Sequence, residues 1–317
     1  MKKIHILGVL YFGLVSWNSV YSRDALSYYE EAYRVEKISP ILSIPLYEKV
    51  LSIKPDRQVL KTSVSRLRFL YLKFGKSEEA ILLRQKYGNE FAGNKKIETL
   101  VQRMSDDMGV SSSFLSNVIY LSVQRGENSI NRLTQILGAE QNKKLFRFIF
   151  SLKMNLKDYN TLQKIFESYP ASDPFLKAAF LVKSGAEEAD AELDMLGAGE
   201  PLSLNRKSDL LYLKGMTFRN KKQMKLSARY FLMSSSYARK DRGLAEAAKT
   251  LIASGKKSEG CGLLTSPIKV ENESDEILSM YCTEKSVKNL RPVLPAIKIL
   301  LEKDDNPFLK RIANEMH

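Results

Sequence analysis

Apolar and polar residues follow one another along this chain with the spacing of amphipathic helices. Beyond the N-terminal segment, apolar or small side chains recur every three or four positions, which gives each predicted helix one buried stripe. Long stretches of strict alternation are missing, and so are the Asn-Gly and Asp-Gly pairs that mark tight β-hairpins. The pattern therefore predicts an all-α protein.

Several segments form pairs of helices joined by a short turn. The clearest pair spans residues 208–241, with its turn at Asn220-Lys221-Lys222. A second pair spans residues 61–90, where Gly75 ends the first helix because glycine readily adopts a left-handed conformation. Residues 44–55 are predicted to form the second helix of an earlier pair, with Pro45 in its first turn and Pro55 at its end.

These helical hairpins resemble the tetratricopeptide repeat (TPR) family, in which two helices alternate in repeats of roughly 34 residues. The matching positions are Gly215, Ala228 and Phe231 in one unit, Tyr71, Gly75 and Ala80 in another, and Tyr47 and Pro55 in the first. The resemblance implies helical hairpins stacked as a right-handed α-solenoid. Residues 94–170 and the tail after residue 255 depart from the repeat pattern, so the solenoid is expected to be irregular in the middle and at the C-terminus.

The resemblance also implies where a partner binds. Peptides in this family lie in a concave groove lined by the first helix of each hairpin. The residues expected to face that groove are Tyr212, Met216 and Arg219 in one hairpin and Ser65, Phe69 and Lys73 in another. The set lacks the Lys/Asn/Arg clamp that holds a C-terminal carboxylate in some members, so no particular peptide is implied.

A second candidate surface is basic. The turn and second helix of the 208–241 hairpin concentrate positive charge, in Arg219, Lys221, Lys222, Lys225 and Arg229. Such a cluster attracts partners with acidic groups, and the attraction weakens with salt. The alternative is a helix face that simply contacts water.

The N-terminus has the features of a secretory signal peptide. Lys2 and Lys3 precede an apolar run, and a short polar exit ends at Ser22, which predicts cleavage after that residue. The run is about 14 residues long, shorter than the roughly 20 needed to cross a bilayer. The alternative is an uncleaved membrane anchor. A linker at residues 197–203 divides the remainder into two helical-repeat regions, 23–196 and 204–317.

The scarcity of histidine excludes much catalytic chemistry. The only histidines are His5, in the predicted signal peptide, and His317, the last residue. A Ser-His-Asp or Cys-His centre and a His-ligated zinc site are therefore excluded from the interior. Glu167-Ser168 resembles the general-acid motif of lytic transglycosylases, but the downstream segment of those enzymes is missing. No cofactor is expected.

The two cysteines are predicted to form a disulfide. Cys261 and Cys282 are the only cysteines of the chain, and an even pair in an exported protein is more often bridged than free. The alternative is two separate buried thiols. The sequence therefore predicts a protein that is exported, to the periplasm first of all, with the cell surface or secretion as alternatives.

Net charge and architecture leave three hypotheses for function. The chain has 50 basic and 36 acidic residues, a net charge of +14, which favours acidic partners. The first hypothesis is a non-enzymatic protein–protein interaction scaffold of the cell envelope, since stacked hairpins offer a long binding surface. The second is a binder of polyanions such as acidic glycans or lipid headgroups, and the third is a carboxylate-dependent, peptidoglycan-active enzyme. Export argues against nucleic acid as a partner, and no transmembrane segment is expected in the mature chain.

Overall fold

The structure is a computed structural model, and it confirms the predicted all-α class. It describes residues 24–88, 95–124, 126–140, 142–169, 173–199, 201–284 and 287–316. Within these ranges the chain forms 18 α-helices and one 3-10 helix, with no strand. The predicted signal peptide, residues 1–22, lies outside the described residues.

The first nine helices cover the N-terminal half of the described chain. Their bounds are α1 Ala25–Ile38, α2 Pro40–Ser52, α3 Arg57–Lys73, α4 Ser77–Tyr87, α5 Lys95–Met108, α6 Ser112–Val123, α7 Glu127–Glu140, α8 Lys143–Asn155 and α9 Tyr159–Ser168. Helices that follow one another in sequence pack side by side along most of this half, as α1 and α2 do, and likewise α3 and α4.

The remaining helices continue the same arrangement. Their bounds are α10 Pro174–Ser184, α11 Ala189–Ala198, α12 Leu204–Asn220, α13 Met224–Ser235, α14 Lys240–Ala253, α15 Lys257–Gly262, α16 Glu273–Thr283, the 3-10 helix Val287–Val293, α17 Leu294–Lys303 and α18 Pro307–Glu315. The α12–α13 and α13–α14 pairs have the most extensive contacts, and they contain the hairpin predicted at residues 208–241.

Local sequence signals set many of the helix ends. The Asp173 carboxylate accepts a hydrogen bond from the backbone N–H of Phe175 at the start of α10, and Gly185 ends that helix with φ +73°. Gly75, with φ +67°, follows α3 as predicted. The prediction for Pro45 was wrong, because α2 already begins at Pro40 and Pro45 lies inside the helix.

Small residues allow α12, α13 and α14 to pack closely. A Cβ atom added to Gly215 of α12 would lie 2.8 Å from the ring of Phe231 on α13. The Ser227 hydroxyl donates a hydrogen bond to the carbonyl oxygen of Gly215 across the same interface, at 2.8 Å. A Cβ atom added to Gly243 of α14 would meet the backbone itself, lying 2.8 Å from the carbonyl oxygen of Phe231.

Gly243→Ala should therefore destabilise the protein, by about 1–3 kcal/mol, because the backbone of α13 cannot move aside as a flexible side chain would. Gly138→Ala is the matched control: Gly138 lies within α7, and an added Cβ would meet nothing within 4 Å. Its expected effect is neutral or slightly stabilising, since alanine favours helix. Urea unfolding of both variants measures the difference, and equal effects would contradict close packing at Gly243.

The C-terminal helices pack against the N-terminal ones. Helices α16 and α17 contact α2. The Lys49 ammonium lies 2.7 Å from the Glu302 carboxylate, and the Ser39 hydroxyl donates a hydrogen bond to Glu276 at 2.9 Å. In an open repeat array each unit contacts only its neighbours. The contacts between C-terminal and N-terminal helices, which we call the closure, are therefore not predicted by the hairpin pattern.

One apolar cluster includes residues from both predicted regions. It contains Leu42 and Tyr71 from the N-terminal region and Ile252 and Phe308 from the C-terminal region, all buried. The linker predicted at residues 197–203 overlaps the last two residues of α11, which ends at Ala198, and ends just before α12. The division into two regions stays a prediction. The right-handed α-solenoid likewise stays a prediction.

The predicted disulfide is present between Cys261 of α15 and Cys282 of α16. It closes the loop that connects the two helices. No helix among the described residues has both the length and the apolar content needed to cross a membrane.

Candidate functional site

A groove between α3 and α5 contains two of the predicted partner-binding residues. We call it the Phe69 groove, and it has a volume of about 990 Å³. It is lined by Ser65, Arg68, Phe69, Leu72, Lys73, Lys95, Lys96, Ile97, Thr99, Leu100 and Arg103. The predicted first-helix face of Ser65, Phe69 and Lys73 therefore lies along one wall of an open groove.

The geometry of α3 explains why Phe69 faces the groove. The buried stripe of this helix contains Val64, Leu67 and Leu70, which pack into the main apolar cluster. Phe69 lies off that stripe, and 56% of its surface is exposed. An exposed phenylalanine carries apolar area that a partner can remove from water.

Every charged residue of the described lining is basic. The five are Arg68, Lys73, Lys95, Lys96 and Arg103. Glu98 of α5 does not offset them, because it forms an ion pair with Arg84 of α4 at 3.3 Å and is not part of the lining. The groove therefore combines an exposed aromatic ring with positive potential.

Sequence reasoning missed the α5 wall of this groove. The TPR-like pattern does not extend into residues 94–170, so α5 had no assigned face. Its buried residues are Ile97, Val101 and Ser105, and Lys95, Thr99 and Arg103 recur every four residues beside them. That spacing on an amphipathic helix was the signal available in the sequence.

The three groove residues predicted on α12 lie in different surroundings. Tyr212 lines another groove, where the Arg242 guanidinium covers its ring at 3.6 Å from the centroid. Met216 is partly buried against a small apolar cluster that includes Phe175 and Leu213. Arg219 forms an ion pair with Glu246 of α14 at 2.5 Å. Tyr212 and Arg219 both contact the ring of Phe231 on α13, and partner binding by the three residues stays a prediction.

Arg219 belongs to a buried ionic network that connects α12, α14 and α16. The Lys249 ammonium lies 2.5 Å from Glu246 and 2.9 Å from Asp275, and it donates to the Ser274 hydroxyl at 3.0 Å. Burial alone would raise the pKa of Glu246, but the charges of Lys249 and Arg219 outweigh it and lower that pKa to about 2. Glu246 is therefore ionised near neutral pH and is paired within the network, so we assign the network to the stability of the fold.

The other basic residues of the 208–241 hairpin remain on the surface. Lys221 forms an ion pair with Asp190 of α11. Lys222 lies in the turn with φ +59°, and Lys225 and Arg229 are exposed on α13. Polyanion binding by these residues stays a prediction.

The described residues contain no group of three or more His, Cys, Asp or Glu side chains placed to hold a metal ion. Glu167, part of the Glu-Ser pair considered above, is exposed near the end of α9. Comparison with protein-family models, with curated proteins and with solved structures gives no match for this chain.

Proposed function

We propose that this chain is an exported, non-enzymatic protein–protein interaction scaffold of the cell envelope, whose Phe69 groove binds an acidic segment of a partner protein. The observation that carries the proposal is the exposed ring of Phe69 among five basic side chains in one groove. The TPR-like arrangement of stacked hairpins is part of the proposal, since such hairpins commonly present a groove lined by first helices.

The chemistry of the groove selects the occupant. Five positive charges without an acidic residue in the described lining favour a segment rich in Asp and Glu. Phe69, Leu72 and Leu100 provide an apolar patch that favours one aromatic or aliphatic anchor residue within that segment. Binding should therefore require both features, and an acidic segment without an anchor should bind weakly.

Export is supported by the disulfide between Cys261 and Cys282, since such bonds persist in oxidising compartments. The signal peptide predicted at residues 1–22 is the sequence feature that agrees with this compartment. We propose the periplasm as the location, with the cell surface or the external medium as alternatives.

The proposal predicts the peptides that the groove selects. On an array of synthetic peptides that varies net charge and anchor residue independently, residues 23–317 should retain acidic peptides with one apolar anchor. Phe69→Ala should weaken binding of the best peptide roughly tenfold or more, because truncating a central aromatic anchor typically costs at least about 1–2 kcal/mol. Lys96→Glu with Arg103→Glu should abolish it by reversing the charge of the α5 wall.

Two variants control for effects outside the groove. Tyr120→Ala removes an aromatic side chain that is 49% exposed on α6, outside the lining. Lys225→Glu with Arg229→Glu reverses two exposed charges on α13. Both controls should bind the selected peptide like the wild type. If Phe69→Ala binds normally, or if the array shows no preference for acidic peptides, the proposed groove is wrong.

A further inference from the structure

A second groove lies between α10, α12 and the start of α14, in another part of the molecule. Its volume is about 540 Å³, and we call it the arginine groove. Its lining includes four arginines, two aspartates and two small polar residues, namely Arg147, Arg206, Arg239, Arg242, Asp173, Asp209, Ser203 and Asn205. Four guanidinium groups thus face two carboxylates.

The two carboxylates do not neutralise the arginines. The same Asp173 oxygen accepts from Arg147 at 2.9 Å and from Arg206 at 2.7 Å. Burial alone would raise the pKa of Asp173, but these hydrogen bonds contribute to lowering it, so one carboxylate serves two cations. Arg239 pairs with Asp209 at 3.3 Å, and no ion pair connects Arg242 to a carboxylate of the described residues.

Aromatic rings hold two of the guanidinium groups in place. Arg242 lies 3.6 Å from the ring centroid of Tyr212, and Arg206 lies 4.4 Å from that of Phe175. Stacking occupies one face of a guanidinium and leaves its N–H edge to bind oxyanions. Because arginines cover these two rings, the rings offer no platform for nucleobase stacking.

Two further depressions share basic residues with the groove. A depression of about 260 Å³ shares Arg147, Asp173 and Arg206 with it and adds Lys143. Another depression of about 380 Å³ shares Arg239 and Arg242 with the groove. It adds Lys240, Lys269, Asp241 and Glu271. The three depressions form one strip with seven basic and four acidic residues, and we call it the arginine strip.

We propose that the arginine strip binds a linear acidic polysaccharide. Its several positive charges match a polymer whose carboxylate or sulfate groups recur along the chain. Each of these groups would accept hydrogen bonds from the N–H groups of an arginine side chain. Ser203 and Asn205 supply neutral donors and acceptors for sugar hydroxyls within the central groove. The site is distinct from the Phe69 groove and from the hairpin residues Lys225 and Arg229.

The test uses residues 23–317 and four probes: polygalacturonate, dextran sulfate, neutral dextran and polyglutamate. At least one acidic polysaccharide should bind, and the bound one identifies uronate or sulfate as the charged group. Neutral dextran should not bind, and polyglutamate should bind clearly more weakly. Galacturonic acid monomer should also bind far more weakly than its polymer, because a strip engages several groups at once. Equal binding of polyglutamate and polysaccharide would overturn the proposal.

Arg147→Gln with Arg242→Gln should weaken polysaccharide binding at least tenfold, because glutamine cannot replace the charge-assisted hydrogen bonds that each arginine donates to an oxyanion. This variant leaves Asp173 paired with Arg206 and Asp209 paired with Arg239. If it does not fold, Lys143→Gln with Lys269→Gln should weaken binding instead, since Lys143 is exposed and Lys269, although paired with Glu271 at 3.8 Å, is also exposed.

Lys225→Gln with Arg229→Gln is the matched control, because it removes two exposed charges outside the strip. The control should bind polysaccharide like the wild type. Loss of binding in the control but not in the strip variants would overturn the proposal and place the site on the α12–α13 hairpin. The Phe69→Ala variant should also retain polysaccharide binding. The polysaccharide test can therefore fail while peptide binding in the Phe69 groove is confirmed, and peptide binding can fail while polysaccharide binding is confirmed.

Discussion

Replacing Lys249 with methionine is expected to lower the free energy of unfolding by about 3–5 kcal/mol, which is the usual cost of removing one partner from a buried ion pair. The Lys249 side chain is only 4% exposed and lies between Glu246 and Asp275. Methionine fills similar volume but leaves Asp275 without a cation and Glu246 with Arg219 alone. The contacts between α14 and α16 should therefore weaken most.

Urea unfolding followed by circular dichroism measures this change, and Lys256→Met is the matched control. Lys256 pairs with Glu259 at 2.8 Å, but 54% of its side chain is exposed. An exposed pair contributes about 0–1 kcal/mol, so the control should remain close to the wild type. Equal effects of the two substitutions would contradict the assignment of Lys249 to a buried network.

Lowering the pH should reduce the contribution of the same ionic network to the free energy of unfolding. The pKa of Glu246 is lowered from its ordinary value of 4.5 to about 2 in the folded protein. The unfolded chain therefore binds this proton more readily, and the contribution of Glu246 to stability is complete above about pH 4.5 and is lost as the pH falls towards 2. Because Lys249→Met removes one source of the shift, the stability difference between variant and wild type should narrow over that range.

The hairpins were predictable from the sequence because their signals are local. Asp173 before Pro174 marks the start of α10, Asn306 before Pro307 marks the start of α18, and Gly75 follows the end of α3. Each signal acts through the backbone within a few residues, so no knowledge of distant packing was needed. Gly215 was named as a position that matches the TPR pattern, and the structure shows that its missing side chain leaves room for the ring of Phe231.

Closure between the two ends was not predictable, because it depends on pairs far apart in sequence. Lys49 and Glu302 look like ordinary surface charges until α17 packs on α2. The same limit applies to Arg219. Its position in the α12–α13 hairpin predicts a groove residue, but it pairs with Glu246 of α14. A single hairpin determines which face a residue occupies, whereas the neighbouring helices determine whether that face contacts water.

The Phe69 groove contains both residues that the sequence predicted and residues that it did not. Phe69 and Lys73 were predicted from the first-helix face of one hairpin, while Lys95, Lys96 and Arg103 belong to a helix outside the repeat pattern. The groove exists only where the two helices meet. Its positive charge is therefore a property of the pair, and variants on α3 and α5 test the two walls separately.

Loss of the disulfide is the second large effect that we expect. Cys261→Ala with Cys282→Ala should lower the free energy of unfolding by about 3 kcal/mol, because the bond closes a loop with a sequence separation of 21 and restricts the unfolded chain. The double substitution leaves no free thiol. It also loosens the connection of α15 to α16, which carries Asp275 of the ionic network and Glu276 at the closure with α2.

Reduction provides the internal control for this prediction. Dithiothreitol should shift the urea midpoint of the wild type to that of the double variant, and it should not shift the variant. Denatured protein should label with a thiol reagent only after reduction. A wild type that is equally stable with and without reductant would show that the bond adds nothing to the fold. If reduction lowers the midpoint of the wild type while its native circular dichroism stays unchanged, the bond acts by restricting the unfolded chain, and the contacts among α15, α16 and α2 are sufficient to hold the C-terminal helices closed.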